Sequence, residues 1–151
     1  DLPAFGDYGM DGRTYRYFEG TPLFAFGHGL SYTRFAYHDL VFDPATGTAI
    51  VVVANTGTRD GDEVVQLYVR DSRPGRPRLQ LCGFQRVTIA AGESREVVVP
   101  VDTRTLRRWE DRRGDYLIDR VPRELLAGPS SDRLPLCRAL PANAFSSEIC
   151  R

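Results

Sequence analysis

The sequence predicts an all-β fold: an immunoglobulin-like β-sandwich of about seven strands, preceded by an irregular, aromatic-rich connector segment. Three observations carry this reading. From residue 35 onward, short alternating or β-branched runs recur at intervals of roughly 10–15 residues, each closed by turn residues. No strand–helix–strand rhythm accompanies them, as a parallel sheet would require. Residues 1–34, by contrast, scatter Phe5, Tyr8, Tyr15, Tyr17, Phe18, Phe24, Phe26, His28 and Tyr32 among glycines, with neither helical nor strand periodicity.

Within that first segment only Thr14-Tyr15-Arg16-Tyr17-Phe18 reads as a short strand, followed by a Gly20-Thr21-Pro22 turn. So many rings on irregular backbone cannot bury one another, so the segment is expected to lie against another domain. Tyr8, Tyr15, Arg16 and Tyr17 are its candidate contacts, to sugar or to a neighbouring domain. Residues 37–42 then alternate before an Asp43-Pro44-Ala45-Thr46-Gly47 turn. Residues 48–54, with Ile50, Val51, Val52 and Val53, are apolar on both sides and predict a central strand covered on both faces. Residues 63–70 place Val65, Leu67 and Val69 on one face and Val64, Gln66, Tyr68 and Arg70 on the other. Arg73-Pro74-Gly75-Arg76-Pro77 is a loop, and residues 79–89 form a long strand with Gly83 a candidate bulge. Val97, Val99 and Val101 share a face of the next strand. Asp102 or Thr103 can cap one helical turn through Leu106 and Trp109, with Trp109 read as a core plug. Residues 116–119 and 123–127 are two further strands, and residues 132–136 a weak last one. The expected division is a connector over 1–34, the sandwich over 35–136 and a mobile tail over 137–151.

Size and charge narrow the function. The 151 residues are 42% hydrophobic and 26% charged, with 20 basic side chains, all arginine, against 20 acidic ones. A hydrolase barrel needs roughly 200 residues or more. Charge balance argues against nucleic acid or an anionic membrane as partner, and no apolar run approaches the roughly 18 residues of a membrane span. Opening on Asp1 rather than Met, the chain reads as a piece of something longer.

No constellation of residues reads as catalytic. His28, inside Gly-His-Gly, and His38 lack the carboxylate and nucleophile of a triad. Cys82, Cys137 and Cys150 follow no metal-ligand spacing, so neither metal nor cofactor is expected. Cys82 reads as a buried thiol, while Cys137 and Cys150 could pair. The acidic groups Asp60, Asp62, Glu63 and Glu110, Asp111 lie in turns, where solvated side chains are the plainer reading than the paired carboxyls of glycoside hydrolysis. Asp60-Gly61-Asp62 lacks the ligand run of a calcium loop. Arg104, Arg107, Arg108, Arg112 and Arg113 are broken by Glu110 and Asp111, a solvated turn rather than a nucleic-acid patch.

Two blocks carry a family resemblance. Gly12 to Phe24, continuing as Phe26-Gly27-His28-Gly29-Leu30-Ser31-Tyr32-Thr33, resembles the stretch closing the α/β sandwich domain of family 3 glycoside hydrolases, the β-glucosidases and β-xylosidases. Asn55-Thr56-Gly57, Asp60 to Val69, Leu81-Cys82-Gly83-Phe84-Gln85-Arg86-Val87 and Ala91-Gly92-Glu93-Ser94 resemble the fibronectin type III-like domain of those enzymes. Leu106, Trp109, Gly114-Asp115-Tyr116 and Gly128-Pro129-Ser130-Ser131-Asp132 continue the match in family order. Asp119-Arg120-Val121-Pro122-Arg123 departs from it, lacking the Pro-Gly turn usual before the penultimate strand. The resemblance implies a non-catalytic accessory domain. The family's aspartate nucleophile sits on a barrel and its acid/base usually on the α/β domain, so no catalytic position carries over. It implies as partners the catalytic domains of a parent hydrolase. An independent module binding polysaccharide or oligosaccharide is the alternative.

Overall fold

The structure, a computed structural model, describes residues 4–145. Among them nine strands follow one short helix, α1 (Thr14–Tyr17): β1 (Phe35–Asp43), β2 (Thr48–Asn55), β3 (Gly61–Arg70), β4 (Leu79–Ile89), β5 (Ser94–Pro100), β6 (Arg108–Glu110), β7 (Asp115–Leu117), β8 (Arg123–Gly128) and β9 (Leu136–Leu140). One sheet has the order β1-β2-β5, the second β4-β3-β8-β9, and β6-β7 form a separate hairpin. All the pairings are antiparallel.

The two sheets close over a single core because each contributes its alternating apolar face. Leu40, Phe42, Val51, Val53, Val97 and Val99 from the first sheet meet Val65, Leu67, Val69, Leu125, Ala127 and Leu140 from the second. Val65, Leu67 and Val69 face this core as the period of two requires. The predicted β2 is central, between β1 and β5, but its outer face is only partly covered. Ala49, Val51 and Val53 are buried, whereas Ile50 and Val52 are half-buried on the outer face of a three-stranded sheet.

Bulges tune the register. Opposite Leu67 and Tyr68, β4 advances by two residues, from Gly83 to Leu81, leaving Cys82 as the extra residue. Its buried Sγ–H points to the Leu67 carbonyl at 3.5 Å, and burial pushes the thiol well above its ordinary value. Gly83 beside it must lack a side chain, since a Cβ there would meet the Pro100 carbonyl and Val99. The predicted bulge is therefore present, displaced by one residue. The expected helical turn is a 3₁₀ turn over Thr103–Leu106, capped by Asp102, whose carboxylate accepts from the Arg104 N–H at 3.0 Å.

Four expectations need correction. Thr14–Phe18 is not a strand: it forms the helical turn α1, closed by Phe18 N–H donating to the Thr14 carbonyl at 2.9 Å, and it meets residues 78–81 through the Arg16 carbonyl and the Tyr15 hydroxyl instead of through a ladder. Trp109 is no core plug. It lies on the β6-β7 hairpin, 51% exposed, its ring edge-on to that of Tyr116 at 5.2 Å. The last strand lies over Leu136–Leu140, not 132–136, because Pro135 offers no N–H to a ladder and Ser130–Arg133 form a turn bridge instead. Finally, residues 137–145 are not a loose tail. β9 pairs with β8 from Leu136 to Leu140, and Ala144 and Phe145 are buried in the core, the Phe145 ring 5.4 Å from Phe42. Cys137 is exposed on β9; its suggested partner Cys150 lies outside the described residues.

Phe145→Ala tests that last point. Removal of a buried ring is expected to cost about 3 kcal/mol, read as a lowered denaturant midpoint with unchanged slope.

Candidate functional surface

The connector meets the outer face of the second sheet, and three of the four candidate residues converge there. Tyr15 stacks flat on Phe26, with centroids 4.1 Å and planes 11° apart, and meets Tyr68 edge-on at 6.1 Å. Its hydroxyl accepts the Leu81 N–H at 3.0 Å. Arg16 donates to Gln80 Oε1 at 3.0 Å, and its carbonyl accepts the Arg78 N–H at 2.9 Å. The Arg16 guanidinium stands 5.8 Å from the Tyr17 ring centroid. Tyr8 does not join them; it is 83% exposed.

Beneath the connector, β3 buries residues on both faces. Tyr68 forms a second small core with Leu79 and Leu126, against which Tyr15, Leu81 and Leu134 pack. Gln66, 6% exposed, spends its whole amide there. Its Nε2 donates to the carbonyls of Gly27 (3.1 Å) and Pro129, while Oε1 accepts from the Tyr68 hydroxyl at 2.6 Å. Gly27 has a φ of 80°, and a Cβ there would run into the Gln66 amide. The Asn55 side chain, 1% exposed, does the same work at the other end. It donates to the carbonyls of Arg59 (2.8 Å) and Ile89 (2.9 Å) and accepts from Thr33 Oγ1 (2.6 Å) and the Gly57 N–H (3.1 Å). Asn55 reads from sequence only as turn chemistry. Burial on both faces of β3 shows only as its unbroken run of large residues.

The rest of the connector turns outward. Phe5, Leu23, Leu30 and Tyr32 are more than nine-tenths exposed. An open cleft of about 830 Å³ runs between this segment and the sheet, lined among others by Leu30, Tyr37, Glu63 and Phe84. Asp62 and Glu63 also border it, but as successive strand residues they project to opposite faces. Asp62 is engaged by Thr88 Oγ1 at 2.6 Å and by Arg86, which together hold its carboxyl below the ordinary value. Burial pushes the Glu63 carboxyl up. His28 is exposed beside the Phe24 ring, and His38, also exposed, is the extra residue of the β1 bulge. Among the described residues no group of three or more His, Cys, Asp or Glu could hold a metal ion, and no helix is long and apolar enough to cross a membrane.

Sequence spacing does not reveal an ionic hub on the opposite side of the connector. The Asp119 carboxylate accepts from Arg73 (3.1 Å), Arg76 (2.9 Å) and Arg108 (2.8 Å). Asp71 takes Arg73 at 2.6 Å and lies 3.6 Å from Arg123, which also donates to the Asp119 carbonyl at 2.9 Å. Of the arginine-rich turn, Arg112 and Arg113 are exposed as expected, whereas Arg108 is drawn into this hub.

Two predictions follow from these contacts. Gln66→Leu strands two carbonyls and a phenol, at an expected cost of about 2 kcal/mol, with faster proteolytic cleavage within residues 14–30. For Asp119, burial raises the pKa, but the hydrogen bonds from Arg108 and Arg73 outweigh it and leave the group below its ordinary 3.8. A folded-state pKa below the unfolded one gives stability that is full above the unfolded value and lost as pH falls through the folded one. Acid unfolding is therefore expected to steepen below pH 3.8, and Asp119→Asn to flatten that limb.

Comparison with known proteins agrees with the architecture. A family model described as a fibronectin type III-like domain matches residues 63–131. A xylan 1,4-β-xylosidase of Xylanibacter ruminicola is 38% identical over 135 residues, 86% of this chain and 16% of its own length. A thermostable β-glucosidase B of Acetivibrio thermocellus is 35% identical over 141 residues, 86% of this chain and 19% of its own length. The crystal structure of a β-glucosidase from Streptomyces venezuelae in complex with D-glucose superposes with a TM-score of 0.76 at 36% identity, covering 84% of this chain and 17% of that one. The GH3 β-glucosidase of Bifidobacterium adolescentis gives 0.74 at 30% identity, covering 84% and 20%. The chain thus spans a fifth or less of the length of each of these four. In its two-sheet fold and its order of blocks, the chain matches the fibronectin type III-like region of family 3 glycoside hydrolases, β-glucosidases and β-xylosidases among them, of each of which it spans a small part.

Proposed function

We propose that this chain is a non-catalytic accessory region of a β-glucosidase-like enzyme, packing against and stabilising the catalytic domains of its parent. Residues 1–34 then act as the end of an α/β sandwich domain, docked through Tyr15, Arg16 and Tyr17 on one side and offering Phe5, Leu23, Leu30 and Tyr32 on the other. The observation that carries this reading is that exposed set: four large apolar side chains on one segment, each more than nine-tenths in solvent. Surface of that kind is costly in water unless another body covers it. The small share of each relative that the chain spans supports such a body.

A second reading, a carbohydrate-binding module, draws support from the exposed Trp109–Tyr116 pair, since such rings stack on pyranose faces. Two measurements separate them. Sedimentation of the isolated chain is expected to show concentration-dependent self-association that Leu23→Asp with Leu30→Asp abolishes; a strict monomer contradicts the packing role. Retention on insoluble xylan or glucan, lost in Trp109→Ala, would favour the module instead. An aryl β-glucoside is expected to remain intact with this chain alone.

A further inference from the structure

We infer that the cavity between α1, the β3-β4 loop and the 3₁₀ turn binds a tetrahedral oxyanion, phosphate or sulfate, free or as the ester group of a sugar. This cavity, of about 200 Å³, is lined by Arg16, Arg73, Arg76, Arg107, Arg108 and Arg123, against which it sets only Asp71 and Asp119. Leaving Arg107 aside and counting Glu110, which pairs with Arg108 at 2.5 Å, cations still outnumber carboxylates five to three. The excess is not simply dispersed in water. The Arg123 side chain is 5% exposed, and its Nε stands 3.6 Å from Asp71. Its guanidinium is held below the ordinary value, by burial first, with the charges of Arg73 and Arg76 adding to the shift and Asp71 and Asp119 opposing it. Like charges thus face one another across a small space.

A second observation is independent of charge counting. Nε of Arg16 is buried and makes no hydrogen bond among the described residues. A buried donor without an acceptor is costly, and an anion seated in the cavity bordered by Arg16 would supply one. Guanidinium forks match the oxygen spacing of phosphate and sulfate, and several forks around one centre suit a tetrahedral group better than a single planar carboxylate. The site stands whether or not the domain packs on a catalytic neighbour, and its test does not involve one.

The experiment is calorimetric titration of the whole chain at pH 7 in low chloride, with inorganic phosphate in one arm and glucose 6-phosphate, against glucose, in the other. The expected result is saturable one-site binding in at least one arm, none with glucose, and a melting temperature that rises with ligand concentration. Arg76→Gln and Arg16→Gln are each expected to weaken binding by about tenfold, one charge-assisted contact's worth. Arg95→Gln, on β5, should leave it unchanged. Phosphate alone binding assigns the site to the free anion; binding of the ester as well assigns it to a phosphorylated sugar. Absence of saturation in both arms up to about 50 mM, an affinity so weak that it amounts to less than one fork contact, would overturn the proposal. So would affinity indifferent to both Arg76→Gln and Arg16→Gln.

Discussion

The arrangement of this molecule depends on a buried amide facing away from the sandwich core. Gln66 lies on the outer face of β3, a position that water would normally occupy, and its amide is satisfied only by the Gly27 and Pro129 carbonyls and the Tyr68 hydroxyl. Once the connector covers that face, a polar group with no access to solvent must find its partners inside the chain. The amide therefore specifies where the connector lies as well as holding it. Tyr15 follows from it, since a ring stacked between Phe26 and Tyr68 fits only with Gly27 drawn down onto β3. Asn55 anchors the same segment further along, through Thr33.

A consequence is that the connector divides its apolar surface between two tasks. Ala25 and the Tyr15–Phe26 stack are used internally, while Phe5, Leu23, Leu30 and Tyr32 are left to solvent. Of the connector's rings, Tyr15 and Phe26 stack over this chain's own sheet, whereas Phe5, Tyr8, Phe24 and Tyr32 remain exposed.

The ionic hub gathers at the segment that leads into β8. Asp119 stands there, and its one carboxylate meets Arg73, Arg76 and Arg108. Its partners lie 43 and 46 residues away in one direction and 11 in the same direction along the chain. No local motif connects them. Each residue alone reads as a solvated turn charge, which is the correct prior for an isolated arginine or aspartate, and only the fold turns them into neighbours.

What the sequence by itself determined was the sandwich. Alternation in β3 and β5, the β-branched run of β2 and the turn residues between them are local signals, since one residue's face is set by its neighbours two positions away. The same locality made Cys82 legible as a buried thiol and residues 103–106 as a capped turn. Tertiary structure decided what depends on contact between distant elements: that Thr14–Tyr17 coils instead of extending, that Trp109 stands in water, that Phe145 closes the core, and that six arginines border one cavity. Periodicity reports which way a side chain points relative to its own strand. It carries no record of what the rest of the chain has placed there to meet it.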